Sequence, residues 1–129
     1  MTHPCIDRLV AAIEAGDGIG GDVFDGHAVL DATVPNWRFT VRGDGAIVKE
    51  LSGWYASPGH FDELQRNPTP RGELVEFALS WEEDGVPHAC HQAHHIEVER
   101  GRVVRDTVYC GGRWPASLLA EMEAAGAAG

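Results

Sequence analysis

The stretch from Gly72 to Gly112, GELVEFALSWEEDGVPHACHQAHHIEVERGRVVRDTVYCGG, constrains this chain more than any other. Val75, Phe77, Leu79 and Trp81 alternate with polar or small residues, the period of a strand with one buried face. Asp84-Gly85 is a hairpin turn signal, and Arg100-Gly101 marks a second turn. Three antiparallel strands in a meander follow.

The middle run holds HACHQAHH, with four of the seven histidines and one of the three cysteines. Alternation sorts it. His88, Cys90, Gln92, His94, Ile96 and Val98 share one face; Ala89, His91, Ala93, His95, Glu97 and Glu99 share the other. The face with Ile96 and Val98 is expected to point inward. On the next run Val104, Asp106, Val108 and Cys110 are expected to share the inward face, with Val103, Arg105, Thr107 and Tyr109 outward. Asp106 then lies beside His94, Gln92 or Cys90 among apolar residues. A buried carboxylate is expensive unless paired or hydrogen-bonded, which makes Asp106 a candidate general base or acid.

The first half reads differently. THPCIDRLVAAIEAGDG is a helix, with Pro4 in its first turn and Ile6, Leu9, Val10 and Ile13 on one buried face. HAVLDATVPNWRFTVRG reads as one bent strand interrupted at Pro35-Asn36, and DGAIVKELSGWY as a second amphipathic helix. ASPGHFDELQRNPTPRG, with three prolines and two glycines, reads as a loop around a short helical turn, a lid over a pocket. WPASLLAEMEAAGAAG is a short helix with a fraying tail. Helices on one side of a curved antiparallel sheet make an α+β architecture. The 129 residues are expected to form a single domain, 1–129.

The sequence also resembles the nuclear transport factor 2-like (NTF2-like) superfamily, and within it the SnoaL-like group. FDGHAVLDATVPNWRFTVRGDGAIVKELSGWY and HHIEVERGRVVRDTVYCGGRW carry the resemblance. It implies a cone-shaped α+β barrel of a curved antiparallel sheet, with helices over its concave face. It also implies a homodimer through the outer sheet face. Members include steroid isomerases, polyketide cyclases, epoxide hydrolases, dehydratases and non-enzymatic binding modules, so fold alone does not choose among them. His94 falls where steroid-isomerase-like members place the pocket acid that stabilises an oxyanion. The first helix lacks their tyrosine, and Asp31 on the bent strand sits on the face opposite the apolar set. Epoxide-hydrolase-like members carry an arginine and an aspartate where this chain has Val75 and Phe77, and a further aspartate where it has Val108.

The expected catalytic pair is Asp106 and His94. The expected pocket residues are Gln92, Cys90, Trp37, Tyr55, Phe77, Val108 and Cys110, with His60 reaching over the mouth. No metal is expected. His88, Cys90 and His94 share a face, but residues two apart on a strand are about 6.5–7 Å apart, and the chain has no CxxC or HExxH. No cofactor is expected either. A net charge of −10 argues against nucleic acid and anionic membranes. Three widely spaced cysteines and an N-terminus without secretory features point to the cytoplasm. Two readings stay open: cofactor-free proton transfer on a small apolar or aromatic molecule, or a non-catalytic ligand-binding or dimeric interaction module.

Overall fold

The computed structural model describes residues 3–128. Its elements run α1 (Pro4–Ala15), β1 (Phe24–Val34), β2 (Trp37–Arg42), α2 (Asp44–Trp54), β3 (Gly59–Thr69), β4 (Gly72–Glu83), β5 (Val86–Glu99), β6 (Arg102–Cys110), β7 (Trp114–Pro115) and α3 (Ala116–Ala128). The strands form one sheet in the order β2-β1-β6-β5-β4-β3, with β7 on β5. The sheet is curved and unclosed, and it is mixed rather than purely antiparallel, because β1 runs parallel to β6.

The meander is as expected. Asp84 and Gly85 (φ 51° and 76°) and Arg100 and Gly101 (φ 52° and 78°) form two-residue turns with both residues left-handed. That backbone matches the twist of paired strands. Along β5, Cys90, Gln92, His94 and Ile96 are buried, while His91 and His95 are exposed. One detail of β6 differs. Glu97 faces Arg105, but Val98 faces Val103. The extra residue, Val104, makes a bulge that turns Val103 into the core (0% exposed) and Val104 outward.

Two segments of the first half differ more. Pro35-Asn36 does not bend one strand; it closes a hairpin. Val34 pairs with Trp37, and Asn36 takes φ 62°, a conformation asparagine tolerates. The proline-rich segment is not a lid. It is β3, an edge strand paired to β4 from Gly59–Trp81 to Thr69–Gly72. An edge strand has one hydrogen-bonding neighbour, so it tolerates Pro68 and the charges Asp62, Glu63 and Arg66. α3 runs on to Ala128, where the sequence suggested a frayed tail; Gly129 lies outside the described residues.

α1 and α2 pack over the sheet and enclose the core. Cys5, Ile6, Leu9, Val10 and Ile13 of α1 meet Ile47 and Leu51 of α2 and the inward residues of β1, β4, β5 and β6. Gly16 ends α1 at φ 69°, its N–H donating to the Ala12 carbonyl. A Cβ there would lie 2.1 Å from the Ser57 backbone, so the α2–β3 connection packs directly on this glycine. Among the described residues no helix is long and apolar enough to cross a membrane. Gly16→Ala combines a left-handed backbone with a backbone clash. It should lower the stability read by urea unfolding by about 2 kcal/mol or more; a loss under about 0.5 kcal/mol would contradict this packing.

Candidate active site

Three elements meet at the centre of the sheet. β5 supplies Cys90, Gln92 and His94, β6 supplies Asp106, Val108 and Cys110, and the end of α2 supplies Tyr55. His94 faces Val108 and Gln92 faces Cys110 across the β5–β6 pair, and Asp106 lies one step further, opposite Ile96. The period-two pattern alone places these side chains on one face.

Asp106 and His94 are 0% and 1% exposed. The His94 Nδ1–H donates to both Asp106 carboxylate oxygens, at 3.1 and 2.9 Å. The imidazole stacks on Phe77 with centroids 5.5 Å apart. Its Nε2 lies 3.2 Å from the Tyr55 hydroxyl and 3.1 Å from Gln92 Oε1. The Tyr55 hydroxyl donates to Gln92 Oε1, and Gln92 Nε2 donates to Cys110 Sγ at 3.3 Å. The result is a chain, Asp106–His94–Tyr55/Gln92–Cys110, with no buried side-chain nitrogen or oxygen left without a partner among the described residues.

Burial, reinforced by the nearby Asp106 charge, holds the Tyr55 hydroxyl well above the ordinary phenol range. It therefore stays a donor. Burial, then the proximity of Cys110, pushes the Cys90 thiol up to about 12, which leaves it a neutral wall group rather than a nucleophile.

The polar chain ends on a cavity of about 430 Å³, within the range of small-molecule sites. Tyr55, Gln92, Cys90 and Cys110 form its floor. Val34, Phe39, Trp54, Leu79 and Trp81 form the apolar walls, and Glu50 and Arg113 add charge. Arg113 lies 5.4 Å over the Trp81 ring and is ion-paired to Glu83. Trp81 also stacks on His88, with centroids 5.8 Å apart, and donates to Glu83 at 3.0 Å.

The sequence-derived residues thus fall into three groups. Tyr55, Cys90, Gln92 and Cys110 line the cavity. Asp106, His94, Phe77 and Val108 are buried and stand off the cavity wall. Trp37 and His60 stand away from it. Trp37 is 69% exposed at the β1–β2 hairpin, and the His60 side chain, on the edge strand β3, points to Glu14 and Asp62. Asp31 sits on the outer face, where the Arg38 guanidinium, with Arg105 beside it, holds its carboxyl below the ordinary range. Glu50, Phe39 and Trp54 were not singled out as site residues from sequence; Leu79 and Trp81 read there as the buried face of a strand. Only the i, i+4 spacing of Glu50 and Trp54 hinted at a shared helix face. Among the described residues no three His, Cys, Asp or Glu side chains converge as metal ligands.

No family model matches the chain, and no curated protein matches it. Solved structures do. An NTF2-like protein of unknown function from Burkholderia xenovorans is 21% identical over 84% of this chain and 80% of that one, with a TM-score of 0.58. A candidate isomerase from Bacillus subtilis is 20% identical over 86% and 90%, with a TM-score of 0.61. An NTF2-like protein of unknown function from Mesorhizobium loti is 16% identical over 84% and 89%, with a TM-score of 0.62.

Two expectations follow. His94→Ala leaves the Asp106 carboxylate buried without its partner, a change that costs about 3–5 kcal/mol. Urea unfolding reads it, and a cost under about 1 kcal/mol would mean that the pair is not buried as described. The second concerns pH. The Cys90 thiol releases its proton near the ordinary 9.0 in the unfolded chain but only near 12 in the native one. Between those values unfolding releases a proton, so native stability falls as pH rises through this window and is unaffected below it. The Cys90 contribution to the loss between about pH 8 and pH 10.5 is on the order of 2 kcal/mol. Cys90→Ala should shrink that pH-dependent loss; an unchanged loss would refute the assignment.

Proposed function

The chain has the NTF2-like fold, and we propose that its cavity binds a small, largely apolar or aromatic molecule and acts on it by cofactor-free proton transfer: isomerisation, cyclisation or dehydration. One observation carries this reading. The buried Asp106–His94 pair is hydrogen-bonded to Tyr55 and Gln92, and those two side chains line an apolar cavity. A ligand oxygen at the floor would receive a hydrogen bond from the second N–H of the Gln92 amide, and one from the Tyr55 hydroxyl once that hydroxyl turns from Gln92 Oε1 to the ligand. Such donors act most strongly when negative charge develops on the oxygen in a water-poor site.

In this reading Asp106 and His94 are positioning residues. Neither touches the cavity, so Asp106 is not the group that takes a proton from substrate. Asp106 fixes the imidazole with Nδ1–H toward the carboxylate. That leaves Nε2 facing Tyr55 and Gln92. A homodimer through the outer sheet face, with His91, His95, Arg105, Thr107 and Tyr109, and a cytoplasmic location belong to the same reading. Tyr109 is 58% exposed on that face. The rival, a binding module without turnover, draws on the self-satisfied floor.

The test is a titration with 2-naphthol and phenols of graded acidity, read by quenching of tryptophan fluorescence. These mimic an enolate in shape and charge. Binding should saturate and strengthen with ligand acidity, and Tyr55→Phe should weaken it about tenfold or more, the worth of one hydrogen bond to a charged group. Affinity indifferent to acidity and to the Tyr55 substitution would sink the reading.

A further inference from the structure

A site that moves a proton on carbon needs a base in contact with its ligand, and Asp106 is sealed beneath Gln92 and Tyr55. The ionisable side chains on the cavity wall are Glu50, Tyr55, Cys90, Cys110 and Arg113. Four of them are poor bases. Burial keeps Tyr55 and Cys90 protonated. Arg113 is a cation held by Glu83. The Cys110 sulfur is engaged by Gln92 Nε2 and by the Gly112 N–H, at 3.3 and 3.4 Å.

Glu50 is the one carboxylate on the cavity wall, and like the half-buried Asp25 and Glu76, which lie off that wall, it has no ion pair among the described residues. Asp31, Glu73, Glu83 and Glu97 each lie against an arginine. Glu50 is half-buried. Its one hydrogen bond comes from the indole of Trp54, one helical turn on, which donates to Oε2 at 2.8 Å. Phe39 meets Trp54 edge-on, with centroids 6.2 Å apart, and steadies that indole. The carboxylate is thus fixed by one oxygen, and the other is left without a protein donor. Glu50 and Tyr55 also share one end of α2, so they are held on a single rigid element.

Resting on the proton-transfer reading above, we propose that Glu50 is the catalytic base of this cavity. Its free carboxylate oxygen takes a proton from the carbon next to the ligand carbonyl. The C–H electron pair becomes a C=C bond, and the carbonyl π pair moves onto oxygen, where Tyr55 and Gln92 receive it. Where the ligand carries a double bond between its β- and γ-carbons, the anion is a dienolate: the proton returns from Glu50 to the γ-carbon, the oxygen pair re-forms the C=O, and the double bond moves to the α,β position, an isomerisation with no oxidant, reductant or co-reactant.

The experiment uses 2-tetralone in D2O, with loss of its α-proton signals followed by NMR, alongside 2-naphthol binding. The wild-type protein should accelerate exchange over buffer. Glu50→Gln should lower that acceleration about a hundredfold or more, the lower end of what a positioned base supplies, while binding 2-naphthol within about twofold of wild type and keeping its circular dichroism. Glu50→Asp should retain part of the rate. If Glu50→Gln exchanges at the wild-type rate, the proposal is overturned. If wild type binds 2-naphthol but does not accelerate exchange, Glu50 is not the base and the oxyanion-binding floor still stands. If wild type does not bind 2-naphthol, both fall together.

Discussion

The structure is organised around one buried charge. Asp106 sits on a central strand with no exposure to solvent, a position that a carboxylate can hold only with partners that replace its water. His94 supplies the first of these across the β5–β6 pair. Using Nδ1 for the carboxylate turns Nε2 toward the Gln92 amide oxygen and the Tyr55 hydroxyl, 3.1 and 3.2 Å away. Each partner creates the next demand. The sequence of demands ends only at the cavity, where the outermost groups can face a ligand. The polar interior therefore has a direction, from a dry carboxylate to a surface that can receive an oxygen.

That direction depends on the sheet. β5 carries Cys90, Gln92 and His94 inward at every second residue, and β6 brings Asp106 and Cys110 to the same face. A slip of one residue would exchange this set for His91, Ala93 and His95. The two left-handed turns at Asp84-Gly85 and Arg100-Gly101 set the register of β4, β5 and β6, so the site inherits its accuracy from two dipeptides that lie outside the cavity.

This explains which parts of the molecule were legible in the sequence. Alternation and turn chemistry are local, so the meander, both faces of β5 and the shared inward face of His94 and Asp106 could be read directly. The first half was harder because its signals compete. Pro35-Asn36 fits a break in one strand as well as a hairpin, and only the pairing of Trp37 back onto Val34 decides. Prolines and charges made β3 look like a loop, since its partner lies on a strand that begins three residues after it ends. The Val104 bulge is invisible to a period-two count, because it depends on where β6 meets both β5 and the Val23 carbonyl, which accepts from the Val103 N–H. The cavity walls were the least legible. Phe39 comes from β2, Trp54 from α2, and Leu79 and Trp81 from β4, and no spacing in the chain announces that these three elements meet.

The same division between local and distant information separates the two carboxylates that matter. Asp106 attracts attention in the sequence because it interrupts an apolar face, and the structure answers by enclosing it. Glu50 attracts none, because a glutamate beside a lysine on an amphipathic helix reads as solvated surface. The chain has 20 acidic residues against 10 lysines and arginines, so many carboxylates must go without a cation. On an exposed surface water compensates them at little cost. Beside Trp54 and Phe39 water is partly displaced, and the indole N–H replaces only part of it. No arginine lies against this carboxylate, and one of its oxygens stays open to a ligand. In the proposed reaction the enclosed aspartate organises the floor, and the unpaired glutamate exchanges a proton with what the floor binds.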